Sequence, residues 1–341
     1  MARPGIERIT MANDPVQKPF KITEQAPIHP GFDAETTALG VIGKQRLDGL
    51  TAVVTGGYTG IGLETTRVLS EAGATVVVPA RTLDKARAAV AGMALVEIDS
   101  LDLSDPASVD AFATRFLASG RPLHLLINNA GVMATPLVRD RRGFEAQLAT
   151  NHLGHFQLTV RLWPALRAAH GARVVALSSR GHRRAGVDFD DPHFQRRPYD
   201  KWIAYGQAKT ANALFAVALD ARGQAQHIRA FSVHPGAVLT EIVRSISDDE
   251  LKAIRARIEA AAPKDSPAYK NTEQAAATTI WCATSPQLDG MGGVYCEDVD
   301  IAEAVPADFP ESHGVRPWAT DPRLAAQLWQ KSEEWTGVGL D

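Results

Sequence analysis

A short apolar run, Thr51-Ala52-Val53-Val54, leads directly into Thr55-Gly56-Gly57-Tyr58-Thr59-Gly60-Ile61-Gly62. From Leu63 onward, apolar residues recur at helical spacing: Leu63, Val68, Leu69 and Ala72. Strand, glycine-rich turn and helix in that order are the context of a dinucleotide-binding turn, and they constrain the chain to an α/β fold built on parallel strands. Gly56 permits the tight turn, Gly60 lets the backbone approach a phosphate, and Gly62 lets helix and strand pack closely. A helix N-terminus placed after such a turn offers unpaired N–H groups and a favourable dipole to an anion. The spacing is not G-x-G-x-x-G, so the turn alone does not identify its ligand.

The rest of the chain keeps the same rhythm. Strands are expected at 51–55, 75–78, 94–98, 123–127, 173–177, 229–233 and 293–296, with amphipathic stretches between them at 107–117, 143–168, 202–222 and 273–284. Such alternation predicts a single α/β domain of Rossmann type, a doubly wound parallel sheet of about seven strands with helices on both faces. The domain is expected over 47–300. An N-terminal arm, 1–46, rich in proline and charge, would wrap it or stay mobile, and a tail, 301–341, carries a short helix at 322–334. Two segments break the alternation: the arginine-rich stretch 180–198, and the long connection 236–270 with a helical portion at 248–261.

Composition narrows the function classes. Lys and Arg number 36 against 39 Asp and Glu, a net charge of −3, which gives no electrostatic pull toward nucleic acid or a membrane surface. No apolar stretch approaches the roughly 18 residues of a membrane span. The two cysteines, Cys282 and Cys296, form no disulfide framework and read as free thiols of a cytoplasmic protein. No metal site is expected. His152 and His155 stand three apart without further ligands nearby, and they read as packing or hydrogen-bonding residues.

Tyr205 and Lys209 are four apart in Tyr205-Gly206-Gln207-Ala208-Lys209. On a helix that spacing puts both side chains on one face. A free tyrosine titrates near about 10 and a free lysine near about 10.4. An ammonium beside the phenol favours phenolate and is expected to lower the tyrosine pKa toward a range useful for proton transfer.

Taken in order, the motifs Thr55–Gly62, Leu101-Asp102-Leu103, Asn128-Asn129-Ala130-Gly131, Asn151-His152-Leu153-Gly154, Ser178-Ser179, Tyr205 with Lys209, and His234-Pro235-Gly236 resemble those of the short-chain dehydrogenases/reductases. The similarity runs from about residue 47 to 300. Asn151-His152-Leu153-Gly154-His155-Phe156 and the extra length between Ser179 and Tyr205 resemble the branch of retinol-dehydrogenase-like, protochlorophyllide-reductase-like and related bacterial oxidoreductases. The resemblance implies Tyr205 as general acid in reduction and base in oxidation, with Lys209 tuning it and bonding the nicotinamide ribose. Ser179, the second serine of its pair, would hydrogen-bond the substrate oxygen, and Asn151 would hold a water in a relay toward Lys209. Ala208 stands where a serine commonly precedes the lysine.

The cofactor positions implied by the resemblance begin with Gly56, Tyr58, Thr59, Gly60 and Ile61 in the turn. Asp102 and Leu103 would meet the adenine, and Asn129, Ala130 and Gly131 would border the crevice. Pro235, Gly236, Val238 and Thr240 would lie near the nicotinamide carboxamide, with Tyr205 and Lys209 completing the set. Asp102 also suits an ordinary turn. After the second strand stands Arg81, where an NAD-selective site wants an acid. A guanidinium pairs with a 2′-phosphate, so NADP(H) is the expected cofactor and carbonyl reduction the expected direction. NAD-dependent alcohol oxidation and a non-catalytic NADPH-binding sensor remain the competing readings, and reduction of a C=C bond stays open. The partner expected is a small lipophilic or aromatic carbonyl or alcohol, covered by Val238, Leu239, Ile242 and Val243. Arginines 180, 183, 184, 196 and 197 suit either an anionic substrate or a solvated loop. Relatives commonly pair through the helix carrying Tyr205 and the one at 273–284, giving a homodimer or a tetramer.

Overall fold

The computed structural model describes residues 21–261 and 268–340. The first twenty residues of the expected arm, and 262–267 of the long connection, lie outside the described residues.

Eight strands form one sheet: β1 (Thr51–Val54), β2 (Thr75–Ala80), β3 (Val96–Ser100), β4 (Leu125–Asn128), β5 (Ala172–Leu177), β6 (Ile228–His234), β7 (Val294–Glu297) and β8 (Asp300–Ile301). Their order is β3-β2-β1-β4-β5-β6-β7-β8. The first seven are parallel, as expected. The eighth, a two-residue strand antiparallel to β7, exceeds the expected count because it is too short to carry a pattern. The central strands β1 and β4 are buried at every position. Both faces of such a sheet are covered, so its strands read as continuous apolar runs rather than as alternation. In β1 successive side chains still part company: Val53 joins one core layer, Ala52 and Val54 the other. The chain winds outward from β1 to β3, then returns to β4 and winds the opposite way. The crevice between the C-terminal ends of β1 and β4 is therefore the place where such a fold binds its ligand.

The stretch 143–168 is not the continuous helix its pattern predicts. It divides into Ala146–Leu148, a π-helical turn at Ala149–Leu153, Gly154–Arg161 and Trp163–Ala168. Pro164 lacks an N–H and stops the helix before it. The widened turn at Asn151 leaves the apolar periodicity almost unchanged and so is invisible to it.

The described parts of both terminal regions, 21–46 and 301–340, are fastened to the domain. Gln25 spans β7 and the residue after β8: its Nε2 donates to the carbonyls of Tyr295 (2.8 Å) and Ala302 (2.6 Å), and its Oε1 accepts from Tyr295 N (2.9 Å). Ala38–Ile42 forms a short helix against Thr272–Thr284. The tail helix Pro322–Thr336 covers Lys201–Gly223, with Trp329 stacked on Phe215 at 6.0 Å and Ser332 Oγ 2.8 Å from His152 Nε2. The two helices through which pairing is expected are thus each covered by a segment of their own chain. No helix among the described residues is long and apolar enough to cross a membrane. Replacing Gln25 by Ala removes three hydrogen bonds and leaves backbone groups short of partners. The expected loss is about 1–3 kcal/mol in chemical denaturation, and an unchanged unfolding free energy would show that the arm does not contribute.

Candidate active site

The crevice opens where the fold places it. A cleft of about 390 Å³ runs from the Thr55–Gly62 turn, past the ends of β2 to β6, to a cover made by 236–254. Gly56 and Gly60 adopt φ of +65° and +52°, a region that only glycine enters freely. A Cβ on Gly56 would stand 3.2 Å from Ala130 Cα, and one on Gly60 3.1 Å from Thr240 Cγ2, so side chains there would fill the turn. Gly62 packs against the Gly56 carbonyl and the Asn129 side chain, just beyond the ends of β1 and β4. Thr59 makes no side-chain cap to the Gly60–Glu71 helix. Its first-turn N–H groups therefore remain for another acceptor, at residues that line the cleft.

The Thr55 hydroxyl, which sequence reasoning passed over, ties this region together. It accepts from the backbone N–H groups of Asn129 (2.9 Å) and Ala130 (3.0 Å) and lies 2.8 Å from His155 Nε2. His155 Nδ1 is 2.9 Å from the Asn151 carbonyl, which can only accept. Nδ1 therefore carries the proton, and Nε2 accepts from Thr55. Burial lowers the His155 pKa to about 4, so the ring stays neutral. The Asn151 amide is clamped to the backbone of Val132, accepting from its N–H at 2.8 Å and donating to its carbonyl at 2.9 Å. Gly131 brings the other side close: a Cβ there would be 3.0 Å from Asn151 Oδ1 and 3.7 Å from Lys209 Nζ.

Tyr205 and Lys209 share the inner face of the Lys201–Gly223 helix and are 6% and 3% exposed. Lys209 Nζ donates to the Leu177 carbonyl (2.8 Å) and lies 5.7 Å from the Tyr205 ring centroid. The two serines part company. Ser178 Oγ donates to the Lys209 carbonyl (2.7 Å), whereas Ser179 Oγ accepts from Gly181 N (3.0 Å) on the side of the Tyr205 phenol. The expected lowering of the tyrosine pKa is not found in the free protein. Burial pushes Tyr205 up to about 12, against the opposing pull of the neighbouring Ser179 hydroxyl, and pushes Lys209 down to about 8. Desolvation outweighs the ammonium, which is itself less firmly charged and is spent on a carbonyl.

The remaining expected positions fall around the cleft. Tyr58, Ile61, Leu103, Pro235, Gly236 and Val238 line it. Asp102 also lines it, but its Oδ1 is occupied by Ser104 N (2.9 Å) and Ser104 Oγ (2.7 Å), so the turn reading holds for that oxygen. Arg81 is exposed at the cleft edge after β2, and among the described residues it has no carboxylate partner. The cover is latched from two sides. Glu241 pairs with Lys85 (2.7 Å), and Glu250 takes Lys201 Nζ (2.5 Å) and Trp202 Nε1 (2.8 Å). Its helix, Asp248–Ala261, turns Leu251, Ile254 and Ile258 to the cleft. Their i, i+3, i+7 spacing was the signal that could have named them. Among the described residues no group of His, Cys, Asp and Glu is arranged to hold a metal.

These features are those of a nicotinamide-dependent oxidoreductase fold, and comparison agrees. The family model for short chain dehydrogenase matches residues 50–251. A Streptomyces lividans protein named "Probable oxidoreductase" is 43% identical over 299 residues, covering 86% of this chain and 99% of that one. Retinol dehydrogenase 12 of Mus musculus is 38% identical over 299 residues, covering 86% and 88%. Among solved structures, the Pseudomonas aeruginosa RhlG/NADP active-site complex superposes with a TM-score of 0.60 at 25% identity, covering 74% of this chain and 96% of that one. The chain belongs to the short-chain dehydrogenase/reductase family of oxidoreductases, on its retinol-dehydrogenase-like side.

Proposed function

We propose that the protein is an NADP(H)-dependent oxidoreductase that interconverts a carbonyl compound and its alcohol, working as a reductase, with Tyr205 as the proton donor. The observation that carries this reading is the phenol of Tyr205, buried at the cleft wall beside Ser179 and backed by Lys209. The residues fit a dinucleotide. The glycine turn leaves a cradle that any Cβ would fill, the helix start lacks a side-chain cap, and Arg81, with no carboxylate partner among the described residues, stands at the cleft edge for a 2′-phosphate. Gly56–Ile61 would hold the pyrophosphate, Arg81 the 2′-phosphate, Asp102 and Leu103 the adenine side. Asn129 to Gly131 would hold the middle, and Pro235, Gly236, Val238 and Thr240 the nicotinamide end. That the RhlG structure is an NADP complex is consistent with this choice.

The nicotinamide supplies a hydride in reduction and accepts one in oxidation. Ser179 and Tyr205 both hydrogen-bond the substrate oxygen, and Tyr205 gives it the proton that completes the alcohol. A phenol held at about 12 is protonated throughout the physiological range, which suits an acid awaiting a carbonyl more than a base awaiting an alcohol. Lys209 contributes positive charge beneath the phenolate that remains. Asn151, set on the widened turn with its side chain beside Gly131 and Lys209, lies on the route for returning a proton through Lys209. The apolar residues of the cover exclude water and favour a lipophilic or aromatic substrate.

Tyr205→Phe is expected to retain NADPH binding and lose on the order of 10²–10⁴ in turnover of a carbonyl panel. Undiminished turnover would remove Tyr205 from the mechanism. Arg81→Asp is expected to raise the KM for NADPH about tenfold or more and to gain use of NADH. Unchanged NADPH affinity would contradict the cofactor assignment.

A further inference from the structure

Beyond Tyr205 the cleft continues into a second recess of about 580 Å³. Ser179 and Tyr205 line both spaces, so the recess begins at the proposed reacting oxygen. One side is apolar, formed by Met133, Ile254 and Ile258; the other carries Arg180, Arg183, Arg184 and Arg316. Three of these come from the arginine-rich insertion and the fourth from the tail.

The arginines of the insertion divide into two groups. Arg197 is neutralised inside its own loop, 3.4 Å from Asp188 and 3.9 Å from Asp191, and Arg196 turns back onto the same loop, donating to the Asp190 carbonyl at 2.6 Å. The other group lines the recess. Among the described residues none of its four guanidiniums stands within ion-pair distance of a carboxylate. Arg180 Nε donates to His234 Nε2 (3.0 Å), and Arg184 lies over the Trp202 ring at 5.3 Å. Arg183 Nη2 reaches only the Pro310 carbonyl, at 3.5 Å. Arg316 is 2% exposed, and its Nη2 donates to the Phe309 carbonyl. Arg316 Nη1 and Arg183 Nε are buried with no partner. The acids nearby do not balance this. Asp308 sits exposed on the rim. Glu297 is buried, with its pKa raised by that burial, and its Oε1 is taken by Gly314 N.

A guanidinium does not escape burial by losing its proton, so like charges gathered this way call for an anion. The cofactor's phosphates have their own places at the glycine turn and Arg81, at the opposite end of the cleft. We propose that the recess is an oxyanion subsite for the substrate. The protein then acts on a carbonyl compound, or its alcohol, that carries a carboxylate or phosphate. The acid group lies against Arg183, Arg184 and Arg316, the apolar body against Met133, Ile254 and Ile258. The inference rests on the oxidoreductase reading for the carbonyl and on the recess alone for the anion.

Calorimetric titration of the full chain tests it without turnover, using 4-phenylbutyrate, phenyl phosphate and the neutral 4-phenylbutyramide as probes. An acid is expected to bind at least about tenfold more tightly than the amide, and Arg183→Gln and the exposed Arg184→Gln are each expected to cut that preference about tenfold. The tighter of the two acids names the group. Equal binding of acids and amide, or a preference that neither substitution changes, would overturn the subsite and leave a solvated charged face. NADPH consumption with 4-acetylbenzoate and 4-acetylbenzamide separates the two readings. Equal kcat/KM for both overturns the subsite and spares the oxidoreductase. No consumption of any carbonyl overturns the oxidoreductase, and the titration still decides the subsite.

Discussion

The hydroxyl of Thr55 is the knot from which the rest of the site hangs. It stands at the end of β1, where the winding of the sheet reverses, and takes the backbone N–H groups that open the segment after β4. Through His155 it reaches the carbonyl of Asn151, and so fixes the widened turn on which that residue sits. Glycine turn, crevice wall and relay residue are thereby set in one frame by a single side chain. A valine of the same shape would leave two partly buried N–H groups and a buried imidazole nitrogen unpartnered, a loss larger than that of one average hydrogen bond.

The helix carrying Tyr205 and Lys209 is set against this frame by three further bonds. Ser178 holds the Lys209 carbonyl, and the Leu177 carbonyl accepts from both Lys209 Nζ and Asn212 Nδ2. The outer face of that helix is sealed by the tail, and the dry surroundings decide protonation. Tyr205 is held as a phenol and Lys209 at the edge of losing its charge, both by desolvation. Spacing alone predicted the opposite for the tyrosine, because i, i+4 geometry fixes who is near whom but not how much water remains.

Much of the architecture was legible. Seven strands and the Asp248–Ala261 helix follow from apolar runs and 3.6-residue spacing, and the glycine turn follows from its place between strand and helix. The family motifs named Ser179, Tyr205 and Lys209, which line one cleft, and Asn151, which lies buried behind Gly131 of the cleft wall. What stayed hidden was long-range or non-periodic. Gln25 bridges residues some 270 positions away, and Arg316 of the tail meets Arg183 of the insertion, with nothing local to announce either contact. The π turn at Asn151 and the break before Pro164 leave the hydrophobic pattern nearly intact. Thr55 and His155 looked like ordinary neighbours of a motif because their importance lies in hydrogen bonds across the sheet.

The account depends on Tyr205 being a buried proton donor, and its titration can be watched directly. NMR of the protein with ¹³Cζ-labelled tyrosine, with the resonance assigned by its loss in Tyr205→Phe, follows the phenol as pH rises. The account predicts that Tyr205 in the free protein stays protonated past the ordinary tyrosine range and ionises only near about 12. Ionisation at or below about 10, the value for an exposed tyrosine, would contradict it, because the phenol would then be solvated or dominated by Lys209 rather than by burial.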